Sequence, residues 1–293
     1  MTEGKEEAIM ETARTTLSRP RRRPEFGKFV VYTVLILGCF ITLAPFVWMF
    51  LTSMKTSVES VAIPPTIFPR QWLLDGYTSL PDKLPFFQMY WNTILTSVII
   101  VVGQLLLCSV AGYAFGRIHF PGRGFLFVLC LSVLMIPSSF LILPQYLIIQ
   151  KLGLLNSLHA IYLPNLFSAF GTFLMRQFFM SIPLELEDAA RIDGCGHGRI
   201  YSQIMLPLIK PGLVSLGVLT LRFAWNNLMW PMIVNTEKAK MTLTAGLSYL
   251  QGQYVTDYPS IMAGALLATI PLIIIYAIFQ RQFIEGIAMT GIK

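Results

Sequence analysis

Six long apolar runs, separated by polar and basic segments, dominate the pattern of this chain. Each run is long enough for a helix that crosses a bilayer, which needs about 20 apolar residues. A helix also satisfies its own backbone hydrogen bonds, as the hydrocarbon core of a membrane requires. The pattern therefore predicts an all-α integral membrane protein with six transmembrane helices, at residues 29–51, 90–115, 124–149, 158–179, 212–234 and 261–283.

Composition agrees with this pattern and excludes a water-soluble globular domain. Hydrophobic residues make up 55% of the 293 residues and charged residues 13%, against about 45–50% and about 25% in soluble proteins. The polar, Arg-rich residues 1–28 are expected to form a basic tail. The membrane domain is predicted to cover residues 29–283, and residues 284–293 are predicted to form a second tail.

Lys and Arg residues are unevenly distributed among the polar segments, and this sets the predicted orientation. Most of the 22 lie in the N-terminal tail, in the loops 116–123 and 180–210, or at the C-terminus. Because positive residues accumulate in cytoplasmic loops, both termini are predicted to be cytoplasmic. The same bias explains the net charge of +7. No aromatic–basic module indicates nucleic-acid binding.

The chain carries no set of residues that indicates a metal site or a catalytic centre. Its four Cys and three His residues lack the spacing of a disulfide framework or a zinc site. Metal ligands and catalytic residues are therefore both predicted to be absent.

The loop 180–210 has an unusual pattern for a connector between two spans. Pro183 and the acidic residues after it suit the first turn of a helix. Gly194 suits the end of that helix, because glycine accepts a left-handed backbone. A second short helix is predicted at about residues 198–204. The loop is either a helix–turn–helix that contacts a partner or an ordinary amphipathic connector.

Seven residues of this loop also follow a fixed spacing: Asp188, Ala189, Ala190, Gly194, Ile204, Leu206 and Pro207. This spacing resembles the coupling motif of binding-protein-dependent ABC importer permeases, which reads Glu-Ala-Ala, three residues, Gly, nine residues, Ile, one residue, Leu-Pro. Asp188 replaces the first Glu and Glu187 lies beside it, so either acid is a candidate for the partner contact. Further segments resemble the carbohydrate-uptake, maltose-type branch: AGYAFGRIHFPGR, FGTFLMRQFFMSIPLELEDAARIDG, FAWNNLMWPMIV and FQRQFIEGIAMTGIK.

The resemblance implies a type I ABC importer permease architecture with a cytoplasmic coupling helix. It implies a second homologous permease, two nucleotide-binding ATPase subunits that bind ATP and Mg, and an extracytoplasmic sugar-binding protein. The chain has no GxxxxGK[ST] phosphate loop, so it is expected to be a non-catalytic subunit that binds no cofactor. The implied function is import of a sugar, expected to be an oligosaccharide and either neutral or acidic. Import would occur by alternating access across a bacterial or archaeal cytoplasmic membrane.

Polar residues inside the fifth apolar run indicate a candidate substrate passage. Arg222 is costly at this depth unless it faces protein or water. Asn226 shares its helix face by the i, i+4 spacing, and Trp225 and Asn227 lie beside it. These four residues are predicted to line the passage, where a positive charge would favour an anionic sugar. The alternative is that Arg222 pairs with an acid of the partner permease or turns towards an interface.

Other features leave alternatives open. The loop 235–260 is either a solvated connector or, as the resemblance implies, a loop that docks into the binding protein. Gly112 and Gly116 have the spacing of close helix packing. An ion-coupled secondary transporter would need Asp or Glu inside its spans, and none of the runs has one at its centre. A membrane scaffold without transport activity is the third function considered.

Overall fold

A computed structural model describes the backbone of residues 25–252 and 256–291, with side chains over 27–252 and 256–280. Nearly all of the predicted N-terminal tail, residues 1–28, lies outside the described residues, as do the last two residues of the C-terminal tail. The chain divides into two compact units, residues 1–49 and 50–293. The predicted functional segments all lie in the second unit.

The described backbone is helical, and its only extended pairing is a bridge between Gln251 and Thr256. The labelled helices are α1 (Glu25–Ser53), α2 (Phe86–Arg117), α3 (Arg123–Ser132), α4 (Ser138–Lys151), α5 (Leu158–Tyr162), α6 (Ala169–Met180), α7 (Leu184–Ile192), α8 (Lys210–Trp225), α9 (Met229–Val234) and α10 (Tyr258–Gly291). Shorter helical segments are Ser57–Ser60, Asp75–Thr78, Leu80–Lys83, Val133–Met135, Leu163–Asn165, His197–Arg199, Ile200–Met205, Leu206–Leu208, Lys238–Lys240, Leu243–Leu247 and Ser248–Leu250.

Three of these helices are long and apolar enough to cross a membrane alone: Gly27–Ser53 of α1, the whole of α2, and Tyr258–Gln280 of α10. Three helix pairs qualify only together, because each bends at a short break. The bends are 104° before α4, 41° before α6 and 78° before α8. The described residues therefore provide between three and six spans.

Local chemistry explains why some predicted spans are interrupted. Pro137 directly precedes α4, and a proline disfavours helical backbone at the residue before it. The predicted span 212–234 stops at Trp225 and resumes at α9. At this break the backbone amide and the side chain of Asn226 both donate to the carbonyl of Arg222, at 3.2 and 2.9 Å.

Helix α2 packs along α6 and α8 and is the centre of the second unit. A Cβ atom at Gly112 would lie 2.6 Å from Met175 Cβ, so the predicted close helix packing is confirmed between α2 and α6. An apolar core forms at each end of α2. The coupling-end core comprises Cys108, Tyr113, Met175, Phe178, Phe179, Ala190, Ile200, Met205, Ile209 and Leu216. The opposite-end core comprises Leu80, Leu84, Phe86, Met89, Met241, Leu243, Ala245, Leu247 and Ala263.

Candidate functional site

The first half of the coupling segment, which we define as residues 184–208, forms the helix that its sequence predicts. Pro183 precedes α7, two glutamates occupy its first turn, and Arg191 lies in its last turn. Gly194 has a φ of +80°. The amide of Gly194 donates to the carbonyl of Arg191, and the amide of Cys195 donates to that of Ala190. The predicted helix stop is therefore confirmed, because these bonds satisfy carbonyls that the helix end leaves open.

Glu187 and Asp188, the two candidate acids for the partner contact, differ in burial. Glu187 is only 2% exposed, and its Oε1 accepts a hydrogen bond from Arg191 Nη2 at 2.8 Å. Asp188 is exposed beside the exposed Ala189, whereas Ala190 packs into the coupling-end core. The geometry therefore makes Asp188 the acid that an approaching protein can reach.

Arg117, at the end of α2, connects the coupling segment to the spans. Its side chain is buried, and its Nε lies 4.0 Å from Glu187 Oε2. Its Nε also donates to the carbonyl of Phe179 at 3.0 Å, and its Nη2 donates to the carbonyl of Ile182. One guanidinium thus joins the ends of α2 and α6 to α7. Sequence reasoning missed this role, since Arg117 counted only as one basic residue among the loops.

The second half of the coupling segment anchors it to the bundle. Ile200 and Met205 are fully buried in the coupling-end core, and Ile204 packs against that core. Tyr201 Oη lies within hydrogen-bonding distance of Ser109 Oγ on α2, at 2.7 Å. The short helix predicted here is present, but residues Ile200–Met205 form a π-helix. Leu206 is half-buried, while Pro207 is exposed.

The outer surface of the coupling segment carries apolar side chains together with charged ones. Ile192 is 86% exposed and Leu184 is 62% exposed. Asp188, Ala189 and Gly194 are also exposed. Exposed apolar side chains grouped with charges are typical of a protein-docking surface. One side of this segment is therefore fixed in the core, and the other is open to a partner.

The four residues predicted to line the passage separate into two groups. Arg222 is exposed and has no ion pair or side-chain hydrogen bond within the described part of the chain. Asn226 is also exposed, at the end of α8. Trp225 is buried, and its Nε1 donates to the carbonyl of Ala268 on α10 at 3.0 Å. Asn227 is half-buried, and its Oδ1 accepts from the amide of Trp230 at 3.4 Å.

The described part of the loop 235–260 is partly folded into the bundle. Met241 and Leu243 are buried in the opposite-end core. Asn92 Nδ2 donates to the carbonyl of Met241 at 2.9 Å, and Thr93 Oγ1 accepts from the amide of Leu243 at 2.8 Å. Residues 236–240 are exposed. Residues 251 and 252 are exposed as well. These two parts of the loop are therefore open to a partner in the described residues.

Within the described residues, no group of three or more His, Cys, Asp or Glu side chains has a metal-binding arrangement. Cys39, Cys108, Cys130 and Cys195 are free thiols. The described residues thus form a helical protein with helices of membrane-spanning length and a short helical segment that is buried on one side and exposed on the other.

Comparison with known proteins identifies the family. Residues 108–288 match the family described as binding-protein-dependent transport system inner membrane component. The chain is 36% identical over 260 residues to the arabinooligosaccharides transport system permease protein AraQ of Halalkalibacterium halodurans, covering 87% of this chain and 92% of that protein. It is 32% identical to the sn-glycerol-3-phosphate permease UgpE of Brucella abortus, covering 90% and 97% of the two chains. It is also 32% identical to the lactose permease LacG of Rhizobium radiobacter, covering 93% and 97%.

Solved structures agree on the fold. A bacterial ABC transporter involved in import of the acidic polysaccharide alginate has a chain with a TM-score of 0.75 and 23% identity, covering 90% of this chain and 100% of that one. The chain therefore belongs to the binding-protein-dependent inner membrane component family, as the coupling motif predicted. It is a permease subunit of an ABC importer and not the catalytic subunit.

Proposed function

We propose that this chain is one of two permease subunits of an importer that moves a sugar into the cytoplasm. Two ATPase subunits would receive the coupling helices of the two permeases, and an extracytoplasmic binding protein would deliver the cargo. Family membership supports this arrangement, and so do relatives named for arabinooligosaccharides and lactose. Most of the basic residues lie in the segments assigned to the cytoplasm, which supports cytoplasmic termini.

The observation that carries the proposal is the division of the coupling segment into an anchored side and an open side. Ala190 and Ile200 are buried in the coupling-end core, while Asp188 and Ile192 are exposed. A partner that bound the open side would move α7, and Arg117 would carry that displacement to α2 and α6. In energetic terms, ATP favours one of two global states because the complex binds it better in that state.

Replacing the exposed acid of α7 tests this assignment. Asp188→Ala is expected to weaken binding of the ATPase subunits, because a charge-assisted contact is lost. Glu185→Gln is the matched control, since Glu185 is also an exposed acid of α7. The measurements are co-purification of the ATPase subunits and ATP hydrolysis in reconstituted vesicles. Equal effects of the two variants would argue against Asp188 as the contact.

The same vesicles separate the proposal from the two other functions. An ABC importer is expected to hydrolyse ATP faster when its loaded binding protein is added. A secondary transporter would instead take up cargo on an ion gradient without ATP. A scaffold would show neither response. The wild-type complex therefore decides the class of function before any variant is compared.

An acidic cargo is the second candidate. It is favoured by Arg222, which is exposed and has no side-chain partner among the described residues. A fixed positive charge beside the passage would attract a carboxylate or phosphate. Relatives named for sn-glycerol-3-phosphate are consistent with this idea. Arg222→Gln should then reduce uptake of an acidic sugar more than uptake of a neutral one, and Arg222→Lys should preserve the difference. Equal loss for both cargoes would indicate that Arg222 has a structural role, such as a pair with the partner permease.

A further inference from the structure

A cleft of about 300 Å³ opens between α2, α6 and α8. We call it the mid-span cleft. It lies at the 41° bend between Leu158–Asn165 and α6. Non-helical backbone at membrane depth is tolerated only where protein covers it or where it lines a cavity. The regular helix is therefore interrupted directly beside the cleft.

The floor of the mid-span cleft is polar. Gln104 Nε2 donates to the carbonyl of Asn165 at 2.9 Å, and Thr220 Oγ1 donates to Gln104 Oε1 at 2.8 Å. Asn165 Nδ2 donates to the carbonyl of Ile161 at 2.8 Å. An amide side chain has two donor hydrogens and one acceptor oxygen. Within the described residues, Asn165 Oδ1 accepts no hydrogen bond and its Nδ2 makes only this one donation. Asn165 is among the residues that line the cleft.

The rim of the mid-span cleft is aromatic. Phe167, Phe170 and Phe223 are 47%, 44% and 53% exposed, and all three line the cleft. Flat aromatic surfaces next to a few fixed polar groups are typical of small-molecule sites. A sugar ring fits such a lining, because its C–H faces pack on aromatic rings while its hydroxyls need hydrogen-bond partners.

The cleft shares one face of α8 with the charged residue predicted to lie in the passage. Leu219 and Phe223 line the cleft, and Arg222 and Asn226 follow at the same i, i+3, i+4, i+7 spacing. Arg222, Phe223 and Asn226 are all exposed. A ligand that moved along this face would therefore meet both the charge and the aromatic rim.

A second cleft provides a contrast. It has a volume of about 380 Å³, lies between α2, α8 and α10, and has an entirely apolar lining that includes Val98, Val218 and Phe279. Such a lining suits a lipid acyl chain, which offers no hydrogen bonds. An acyl chain in the mid-span cleft could not donate a hydrogen bond to the side-chain oxygen of Asn165. Leaving that oxygen without a partner costs free energy. The polar floor therefore favours a saccharide as the occupant of the mid-span cleft.

We propose that the mid-span cleft is a saccharide subsite of the passage, in which one sugar ring of the cargo packs on Phe170 and Phe223 and its hydroxyls bond to Asn165. This proposal rests on the proposed function. It assigns to this chain a direct contact with the cargo.

Four variants in the reconstituted importer test the subsite. Phe223→Leu removes the aromatic face but keeps an apolar side chain, Phe223→Trp keeps the aromatic face, and Asn165→Leu removes the free amide. Phe279→Leu is the matched control in the apolar cleft, where the side chain is 38% exposed. The measurements are uptake of arabinotriose and lactose, and ATP hydrolysis stimulated by the loaded binding protein.

Phe223→Leu and Asn165→Leu are expected to lower sugar uptake about two- to tenfold, the range that a lost aromatic contact produces. Stimulated ATP hydrolysis should persist, so that fewer sugar molecules are moved per ATP. Phe223→Trp and Phe279→Leu should transport like the wild type. In purified Phe223→Trp complex, arabinotriose should change the fluorescence of the new indole, and adding Asn165→Leu should abolish the change.

Two results would overturn the subsite while the importer function stands. One is wild-type uptake by Phe223→Leu, as expected if this position contacts only lipid. The other is an equal loss of uptake and ATP hydrolysis in Phe223→Leu, which would indicate a structural role. If the loaded binding protein did not stimulate ATP hydrolysis by the wild-type complex, the proposed function would be contradicted, and the subsite with it.

Discussion

The two ends of α2 are held to their neighbours by different kinds of interaction. At the coupling end, the charged side chains of Arg117 and Glu187 are both buried. At the opposite end, the buried groups that bond the loop are neutral, the amide of Asn92 and the hydroxyl of Thr93. The ion pair between Lys83 and Asp257 lies on a partly exposed rim. A buried charge that loses its partner is far more costly than an exposed one. The two ends should therefore respond very differently to similar substitutions.

This difference fits what each end would have to do in the proposed importer. The coupling end has to move as one body when a partner displaces α7, and a guanidinium shared among three helices resists their separation. The opposite end carries a loop with exposed flanks, where weaker interactions allow rearrangement around a bound partner.

The largest effect is expected for Arg117→Met. This change leaves Glu187 without one of its two cationic neighbours and leaves the carbonyl of Ile182 without its guanidinium donor. Breaking a buried ion pair by removing one partner costs about 3–5 kcal/mol. Because Glu187 keeps its 2.8 Å bond to Arg191, we expect a loss at the lower end of this range. The free energy of unfolding, measured by detergent-induced denaturation, should fall by about that amount. Transport should be lost before ATP hydrolysis if the variant still assembles.

Arg199→Met is the control, because Arg199 is an exposed arginine of the same segment that bonds only to Gln203 among the described residues. It should lose little stability. The double variant Arg117→Met/Glu187→Met should recover part of the loss, since no charge then stays buried without a partner. Similar stability of Arg117→Met and Arg199→Met would contradict the contrast between the two ends of α2.

The second effect concerns the packing of α2 on α6, just before the buried charges. A Cβ at Gly112 would lie 2.6 Å from Met175 Cβ and 2.8 Å from Arg176 N, whereas the nearest atoms to a Cβ at Gly116 are 3.6 Å away. Gly112→Ala should therefore force the helices apart and cost about 1–3 kcal/mol, as overpacking does. Gly116→Ala, the control one turn later, should be neutral or slightly stabilising. Thermal denaturation of the purified protein measures both, and equal shifts would exclude this close contact.

The coupling segment shows which structural features could be predicted from local sequence signals and which could not. The start of α7 after Pro183 and its end before Gly194 could be predicted, because acidic first turns and a left-handed glycine act within a few residues. The junction of Arg117 with Glu187 could not, since it joins residues far apart in the chain and no spacing rule connects them. For the same reason the sequence could not choose between Glu187 and Asp188, whose exposure depends on which side of α7 meets α2.

The fifth span shows the limit of hydropathy. The apolar pattern continues from residue 212 to residue 234, so it predicted one helix. Helix α8 ends at Trp225, with Asn226 as its C-cap, and apolar periodicity does not register this break. The sequence also grouped Trp225 with Arg222, although the indole of Trp225 packs against Ala268. That Trp225 lines the passage stays a prediction, and so does the same role for Arg222, Asn226 and Asn227.

The smallest effect is expected for the rim pair of the opposite end. Lys83 and Asp257 side chains are 39% and 24% exposed, so Lys83→Gln should cost only about 0.2–1 kcal/mol and less at high salt. Burial alone would raise the pKa of Asp257, but hydrogen bonds from Lys83 and Ser260 outweigh it and hold that pKa below its ordinary value. The pair therefore stabilises the fold above the ordinary Asp pKa of about 3.9, and this contribution is lost as the pH falls through the lowered pKa. The unfolding free energies of the wild type and Lys83→Gln should converge on acidification. If Lys83→Gln instead lost as much unfolding free energy at neutral pH as Arg117→Met, the two ends of α2 would not differ in the way described.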